Sequence, residues 1–369
     1  MSTAAGFPQT RPPQYHDLST TGRIMWTVVA CLIPAALWGV YVFGLRALLV
    51  LAVAVASAVV AEALAARALG RRTLGDGSAV VTGLLVGMTM PPAVPIAIPI
   101  VASAFAMLVV KWTFGGLGAN WMNPALAGRV FVFFSWTGAM TRWTMPKTLP
   151  APDGFSAATP LGIVKAAQNG GRTGTAPLEL LREAGYPISG TDASVTEWLN
   201  AHILGSLGIN LPEGYVDLFV GNVSGSIGEV SALLLLAGTI VLFARRVVRR
   251  HIPVAFFGTF ALFTRVFGGV ATGQGFFAGD VLFAALTGGL VLALFYMATD
   301  TVTTPLTRGG MLVYGAGVGF LTFLLRTFGR FPEAAALAII LMNVMVPLID
   351  RWTQPRRFGL SGREALRGS

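Results

Sequence analysis

The feature that most constrains the fold is a series of ten apolar stretches, each a candidate membrane-spanning segment. A spanning helix needs roughly 20 mainly apolar residues. Seven stretches are continuous, namely residues 24–43, 48–66, 95–112, 230–244, 253–267, 311–325 and 334–349. Three are short or broken, at 78–90, 124–136 and 281–297. The pattern predicts an all-α integral membrane protein with about ten transmembrane helices.

Composition excludes other classes of protein. Of 369 residues, 54% are hydrophobic and only 11% are charged, whereas soluble domains carry about 25% charged residues. The net charge of +10 could indicate nucleic-acid binding, but most of the basic residues follow the bias that orients membrane proteins. Cys31 is the only cysteine, and the three histidines lack metal-ligand spacing. We therefore expect no nucleic-acid partner, no internal disulfide and no metal site.

The distribution of basic residues predicts the orientation of the chain. With a cytoplasmic N-terminus, 16 of the 26 lysines and arginines fall in cytoplasmic segments, including a turn near Lys111. The short outer loops then hold only Arg46, Arg326 and Arg330. The predicted divisions are a cytoplasmic segment 1–23, a five-helix membrane repeat 24–136, an extracytoplasmic insertion 137–226, a second five-helix repeat 227–350 and a cytoplasmic tail 351–369.

The two halves resemble each other weakly. "GDGSAVVTGLL" from Gly75 and "GDVLFAALTGGL" from Gly279 each begin the third span of a half. Because each half has five spans, an odd number, the halves must be inverted relative to each other. Inverted repeats with broken helices are typical of transporters, so a small-solute channel or transporter is one interpretation.

Three breaks in the spans predict a ligand, cofactor or ion region between the halves. They lie at Pro91-Pro92, at 115–118 and at 300–305. Irregular backbone at membrane depth is tolerated only where it is buried in protein or lines a cavity. The alternative is that the glycines in such segments simply permit close helix packing.

Ionisable residues near or within the spans are candidates for this region, because charges at membrane depth are costly. Arg129 lies inside a span and could pair with an anion or with the carbonyl end of a broken helix. Asp76, Asp280 and Asp300 lie at span ends, where a helix cap is an equal alternative. Glu62 and Glu229 have no obvious partner in the sequence.

The insertion contains a short polar stretch, "DGFSAATPL", from Asp153. Asp153 and Ser156 favour a turn through local side-chain hydrogen bonds. Pro160 disfavours helical geometry at Thr159 and leaves its hydroxyl on extended backbone. From the residues alone, this is an ordinary loop. Two short helices are predicted further along the insertion, at 177–184 and at 194–206, the second capped by Ser194.

The same stretch resembles the flavinylation motif Asp-x-x-Ser/Thr-Gly-Ala-Thr, at whose last threonine a flavin transferase attaches FMN through a phosphoester bond. Asp153, Ser156, Ala158 and Thr159 match the motif, and Ala157 replaces its glycine. Other motifs are similar to those of the large membrane flavosubunits of the Rnf and sodium-pumping NADH:quinone oxidoreductase complexes. They are "GGLGANWMNPALAGRVFVFF" from Gly115, "GNVSGSIGEVSALLLLAG" from Gly221 and "FYMATDTVTTP" from Phe295.

The resemblance covers about residues 22–351, and its details are more similar to the Rnf branch than to the quinone reductase branch. It implies a subunit of an Na⁺- or H⁺-translocating oxidoreductase in the bacterial inner membrane, with FMN on Thr159 at the outer side. It further implies partner subunits that carry flavins and iron–sulfur clusters, and a flavin transferase for maturation. The resemblance also implies a second, noncovalent flavin such as riboflavin at the broken-helix centre. Arg129, Asp300, Asp280 and Asp76 are candidates either for that site or for coupling electron flow to ion movement.

Overall fold

The structure, a computed structural model, describes residues 20–71, 73–149, 158–171, 174–329 and 334–354. Five of its helices are long and apolar enough to cross a membrane, and shorter apolar helices accompany them. The predicted class, an all-α integral membrane protein, is confirmed. The count of ten spans and their inverted arrangement stay predictions.

The first half contains five apolar helical segments close to the predicted ones. They are α1 (Thr21–Phe43), α2 (Leu45–Ala68), α3 (Ser78–Met88), α4 (Ala97–Ala104) with a π-helical continuation (Phe105–Trp112), and α5 (Pro124–Ser135). Asn123 caps α5 by accepting hydrogen bonds from the first-turn N–H groups of Ala125 and Leu126, and Pro124 occupies the first helical position. This is the arrangement preferred at a helix start, so the Asn-Pro pair was a reliable sequence signal.

The insertion folds into short helices. They are α6 (Thr137–Met140), α7 (Pro160–Asn169), α8 (Pro177–Glu183), α9 (Gly190–Leu199) and α10 (Tyr215–Val220). The prediction of α8 is confirmed to within one residue. The cap predicted at Ser194 is wrong, because α9 begins earlier, with Ser189 accepting from the N–H of Asp192. Ser194 lies inside the helix and donates to the carbonyl of Gly190.

The second half contains α11 (Ala232–Ala244), α12 (His251–Ala271), α13 (Val281–Leu286), α14 (Leu290–Leu292) with a π-helical continuation (Ala293–Met297), α15 (Arg308–Thr327) and α16 (Ala334–Trp352). The sequence predicted one helix over 281–297, but the structure interrupts it at Thr287–Gly289. Gly288 and Gly289 have positive φ there, at 61° and 65°, a conformation that glycine adopts without steric cost. The chain therefore has a fourth break that sequence reasoning missed.

The halves contact each other through their first helices, α1 and α11. Gly238 of α11 lies so close to α1 that an added Cβ would be 2.6 Å from the carbonyl oxygen of Cys31. A Cβ added to Gly39 of α1 would likewise be 2.0 Å from the carbonyl oxygen of Ile227. Small residues at these points let the backbones approach, which is how membrane helices gain packing energy.

The segment that joins the insertion to α11, residues 221–231, provides hydrogen bonds to the first break. The N–H of Gly228 donates to the carbonyl of Met88 at 2.7 Å, and the N–H of Ile227 donates to that of Met90 at 3.1 Å. These two carbonyls lie at the end of α3, where the helix stops before Pro91 and cannot satisfy them itself. We call residues 221–231 the joining segment.

Candidate functional site

Thr159 caps the N-terminus of α7. Its φ and ψ are −70° and 152°, so the predicted extended backbone is confirmed, and its Oγ1 accepts from the N–H of Gly162 at 3.1 Å. Pro160 occupies the first helical position. The helix itself was missed, because a turn motif followed by proline resembles a loop and a capped helix start equally. Asp153, Ser156 and Ala157 lie outside the described residues.

A cleft that is open to solvent lies beside the Thr159 side chain, and its empty space of about 490 Å³ includes part of that solvent. Its walls come from five places: the start of α7, α10, the joining segment, the end of α13 and the chain after α6. The lining includes Trp143, Leu218, Ser224, Glu229, Leu286 and Gly288. Thr159 is half-buried and Ala158 is exposed. The threonine predicted from the flavinylation motif thus borders a cleft with both polar and apolar walls.

Ser224 of the joining segment ties this segment to the residue preceding Thr159. Its Oγ donates to the carbonyl of Ala158 at 2.7 Å, and its N–H donates to the Tyr186 hydroxyl oxygen at 2.9 Å. The Tyr186 hydroxyl in turn lies 3.1 Å from Ser224 Oγ. Burial raises the pKa of Tyr186, so this hydroxyl keeps its proton. The backbone on the N-terminal side of Thr159 is therefore held in place.

Two charged side chains flank the break at Gly288-Gly289. Arg326, at the end of α15, donates to the carbonyls of Ala284, Thr287 and Gly288 and thereby satisfies the end of α13. On the other side, the Glu229 carboxylate accepts from the N–H of Ser226 at 3.1 Å. Arg326 was predicted in a short outer loop, but it is 5% exposed. No local pattern signals this role, because the helix it serves lies about 40 residues earlier.

Asp280 is a helix cap, as the alternative interpretation held, whereas Asp76 precedes Gly77, the N-cap residue of α3, and accepts from the first N–H of that helix. Asp280 accepts from the N–H of Phe283 at 2.9 Å, and Asp76 accepts from the N–H of Ser78 at 2.8 Å. Asp280 also accepts from the hydroxyl of Tyr215 in α10, which links the insertion to α13. Burial and this hydrogen bond raise the pKa of Tyr215. Neither aspartate is among the residues that line the cleft at Thr159.

Arg129 is buried in α5, 3% exposed, and points toward the joining segment. Its Nη2 lies 3.4 Å from Ser226 Oγ. Ser226 is the residue whose N–H binds Glu229, so Arg129 and Glu229 both contact it. The prediction that Arg129 lies within a helical segment is confirmed, and its functional role stays a prediction.

Asp300 borders a second, larger cleft, whose empty space of about 800 Å³ includes open solvent. The cleft is lined by residues of α1, α3 and α5 and by two of the three predicted breaks, including Leu117, Asn120, Thr301 and Val302. Asn120 is 6% exposed, and its Oδ1 has no hydrogen-bond partner within the described part of the chain. The structure thus brings two of the predicted breaks together. The third, at Pro91-Pro92, is not among the residues that line this cleft.

A buried ion pair next to this second cleft was also missed. Lys111 Nζ lies 3.1 Å from Glu62 Oε2, and the side chains are 2% and 0% exposed. Glu62 further accepts from Trp112 Nε1 and Thr73 Oγ1, both at 2.6 Å. Lys111 also donates to Ser78 Oγ at 2.7 Å. Lys111 lies one residue before the end of the π-helical segment at Trp112, close to the turn predicted from the sequence. Its ion pair was missed because a partner 49 residues away in sequence gives no local signal.

The cleft at Thr159 suits a phosphate-bearing cofactor. A phosphate on Thr159 Oγ1 would lie at the N-terminus of a ten-residue helix, whose N–H groups and dipole favour an anion. Trp143 and Leu286 supply an aromatic and an apolar surface for a planar ring. Among the described residues, no group of three or more histidine, cysteine or acidic side chains could hold a metal ion.

Known proteins resemble this chain along almost its whole length. A model of the NQR2, RnfD, RnfE family matches residues 9–359. The D subunit of the proton-translocating ferredoxin:NAD⁺ oxidoreductase complex of Clostridium ljungdahlii is 37% identical over 348 residues, covering 94% of each chain. The D subunit of the Na⁺-translocating complex of Acetobacterium woodii is 36% identical, over 95% of this chain and 94% of that one. The D subunit of the ion-translocating oxidoreductase complex of Halorhodospira halophila is 35% identical, over 97% and 96%. The chain belongs to the NQR2, RnfD, RnfE family.

Proposed function

We propose that this chain is the D subunit of an ion-translocating oxidoreductase complex of the Rnf type. Relatives from three organisms, each aligned over more than nine-tenths of its length, carry that description and support the assignment. Their names include both a proton-translocating and a Na⁺-translocating complex, so the proposal covers either ion. The B subunit of a sodium-pumping NADH:quinone oxidoreductase and a small-solute transporter are the alternatives.

The observation that carries the redox part of this proposal is Thr159 at the N-terminus of α7, beside an open cleft. FMN would be attached to Thr159 Oγ1 through a phosphoester bond. The resulting phosphodiester keeps one negative charge, which the N-terminus of α7 stabilises. The N–H of Gly162, from which the Thr159 side chain accepts a hydrogen bond in this structure, is a donor already directed at that position.

Attached FMN supplies the chemistry, because it accepts and releases electrons. The residues of this chain bind and orient it. Ser224 holds the carbonyl of Ala158 through a hydrogen bond and thereby fixes the direction in which the Thr159 side chain projects from the backbone. Trp143 and Leu286 line the cleft, where they would shield one face of the bound ring from water. The chain carries no nucleotide-binding motif, so NADH oxidation belongs to a partner subunit.

The proposed topology gives the cofactor a position in the complex. With both termini in the cytoplasm of a bacterium, the insertion and Thr159 lie on the outer face of the inner membrane. A flavin transferase would reach the motif there, and partner subunits with flavins and iron–sulfur clusters would exchange electrons with it. Arg129 and Asp300 remain candidates for coupling electron flow to ion movement.

A second, noncovalent flavin such as riboflavin is proposed for the larger cleft. Two broken segments meet there, with the buried Asn120 Oδ1 as an acceptor without a partner within the described residues. The side chains of Lys111 and Asp300 also border this space. A ring with several donors and acceptors would use such groups.

The test is the loss of covalent flavin in variants of Thr159. Thr159→Ala and Thr159→Asn should both abolish in-gel flavin fluorescence of the denatured chain and the FMN-sized mass on the intact chain, after coexpression with a flavin transferase. The Asn variant retains a good helix cap, so it separates loss of attachment from loss of the α7 N-terminus.

Ser189→Ala is the matched control, because it removes the N-cap hydroxyl of α9 in the same insertion. It should keep full fluorescence. Fluorescence that persists in both Thr159 variants would contradict the proposed attachment site.

A further inference from the structure

The Glu229 carboxylate borders the same cleft as Thr159. We propose that the negative charge of Glu229 lowers the reduction potential of the flavin attached at Thr159. This inference rests on the function proposed above. It assigns a role to an acidic residue for which the sequence offered no partner.

The structure positions this carboxylate through two backbone features. Its Oε1 accepts from the N–H of Ser226, which fixes the side chain within the joining segment. Its Oε2 lies against Gly289, so close that a Cβ there would be 2.2 Å away. Gly289 has φ of +65°, so both its conformation and its missing side chain leave room for the carboxylate.

The neighbouring charges are arranged on different sides of the carboxylate. Arg326 of α15 approaches the other glycine of the break, where a Cβ on Gly288 would be 2.8 Å from its Nη2. Its guanidinium is bound to three carbonyls of the α13 end. Arg129 of α5 reaches Ser226 Oγ at 3.4 Å. Of these three charged groups, Glu229 alone is among the residues that line the cleft at Thr159.

A carboxylate there opposes reduction for a simple electrostatic reason. One electron from a partner's flavin or iron–sulfur carrier adds one negative charge to the flavin. The fixed charge of Glu229 repels it, so the reduced form is less stable and a stronger electron donor. Two unit charges about 10 Å apart, at an effective dielectric constant of about 20, interact strongly enough to change an equilibrium roughly tenfold.

The alternative role for Glu229 is structural, as the acceptor for the N–H of Ser226. Glu229→Gln distinguishes the two roles, because the amide oxygen can keep that hydrogen bond while the charge is lost. Glu213→Gln is the matched control. Glu213 is a carboxylate of the insertion, 51% exposed, and pairs with Arg182 at the surface.

The experiment is a redox titration of the flavin in the full-length chain, purified after coexpression with a flavin transferase. Intact mass first establishes FMN on each variant. At the wild-type midpoint potential, Glu229→Gln should raise the ratio of reduced to oxidised flavin roughly tenfold, equivalent to about 59 mV for one electron. Glu213→Gln should leave the ratio unchanged, because solvent screens its charge.

The outcomes separate the two proposals. Wild-type chain without the FMN mass overturns the proposed function itself. FMN on both chains with equal midpoint potentials overturns only the role of Glu229. If Glu229→Gln fails to acquire FMN, Leu286→Glu adds a carboxylate to the same cleft. That variant should lower the potential, and an unchanged potential would overturn the inference.

Discussion

The buried pair of Glu62 and Lys111 provides a quantitative test of the membrane core. The two side chains are 0% and 2% exposed, and their charged atoms are 3.1 Å apart. Lys111→Met leaves the Glu62 carboxylate with its hydrogen bonds from Trp112 and Thr73 but without a counter-charge. Removing one partner of a buried pair costs about 3–5 kcal/mol. We expect a loss of that size in the free energy of unfolding.

The double variant Glu62→Gln/Lys111→Met shows whether charge is the cause. It removes both charges, keeps an amide oxygen as acceptor and nearly keeps the side-chain volume. Replacing a buried ion pair by neutral groups is often close to neutral in stability. The double variant should therefore regain most of the stability that either single variant loses, a strongly non-additive result.

The assay is reversible unfolding of the purified chain in mixed micelles, followed by the fluorescence of its eight tryptophans. Arg182→Gln is the control, because it breaks an ion pair of similar length, 3.3 Å, whose side chains are about half exposed. That change should cost about 0–1 kcal/mol. A cost for Lys111→Met no larger than the control's, or additive losses in the double variant, would refute the reasoning.

Two further predictions concern packing and pH. Gly238→Ala should lower the midpoint of thermal unfolding, by an amount that corresponds to about 1–3 kcal/mol in the free energy of unfolding. The reason is that the added Cβ would lie 2.3 Å from the Tyr296 hydroxyl oxygen. Gly258→Ala, with nothing within 4 Å of the added atom, should not lower the midpoint, and equal midpoints would contradict the close packing. Burial and Arg326 lower the pKa of Lys165 from its ordinary 10.5 to about 8, so the unfolded chain binds more protons between these values. The free energy of unfolding of the wild-type chain should therefore rise over that pH range relative to that of Lys165→Met. Parallel pH profiles of the unfolding midpoint for the two chains would argue against the lowered pKa of Lys165.

Much of the fold follows from local sequence properties. The apolar stretches predicted the class and the positions of most membrane helices within a few residues, because burial of apolar length is a local requirement. The Asn123-Pro124 helix start and the extended Thr159 were also predictable, since caps and proline act on adjacent residues. Asp280 as the cap of α13 belongs to the same category.

The sites depended on contacts between distant parts of the chain. Arg326 satisfies carbonyls near residue 285, and the N–H groups of Ile227 and Gly228 satisfy those at the end of α3. Such pairings join residues about 40 to 140 positions apart, which no periodicity or motif reports. The break at Gly288-Gly289 was missed for the same reason, because the groups that stabilise it come from other elements.

The sequence by itself therefore determined the membrane class, the approximate helices and the threonine that a flavin motif would use. Hydropathy, capping and proline sterics are local, so they are encoded where they act. Only the tertiary structure decided that Thr159 caps a helix beside a cleft, that Glu229 borders this cleft and that Lys111 pairs with Glu62. Those relations arise because buried polar groups must find partners wherever the fold brings them, and sequence spacing does not determine which groups meet.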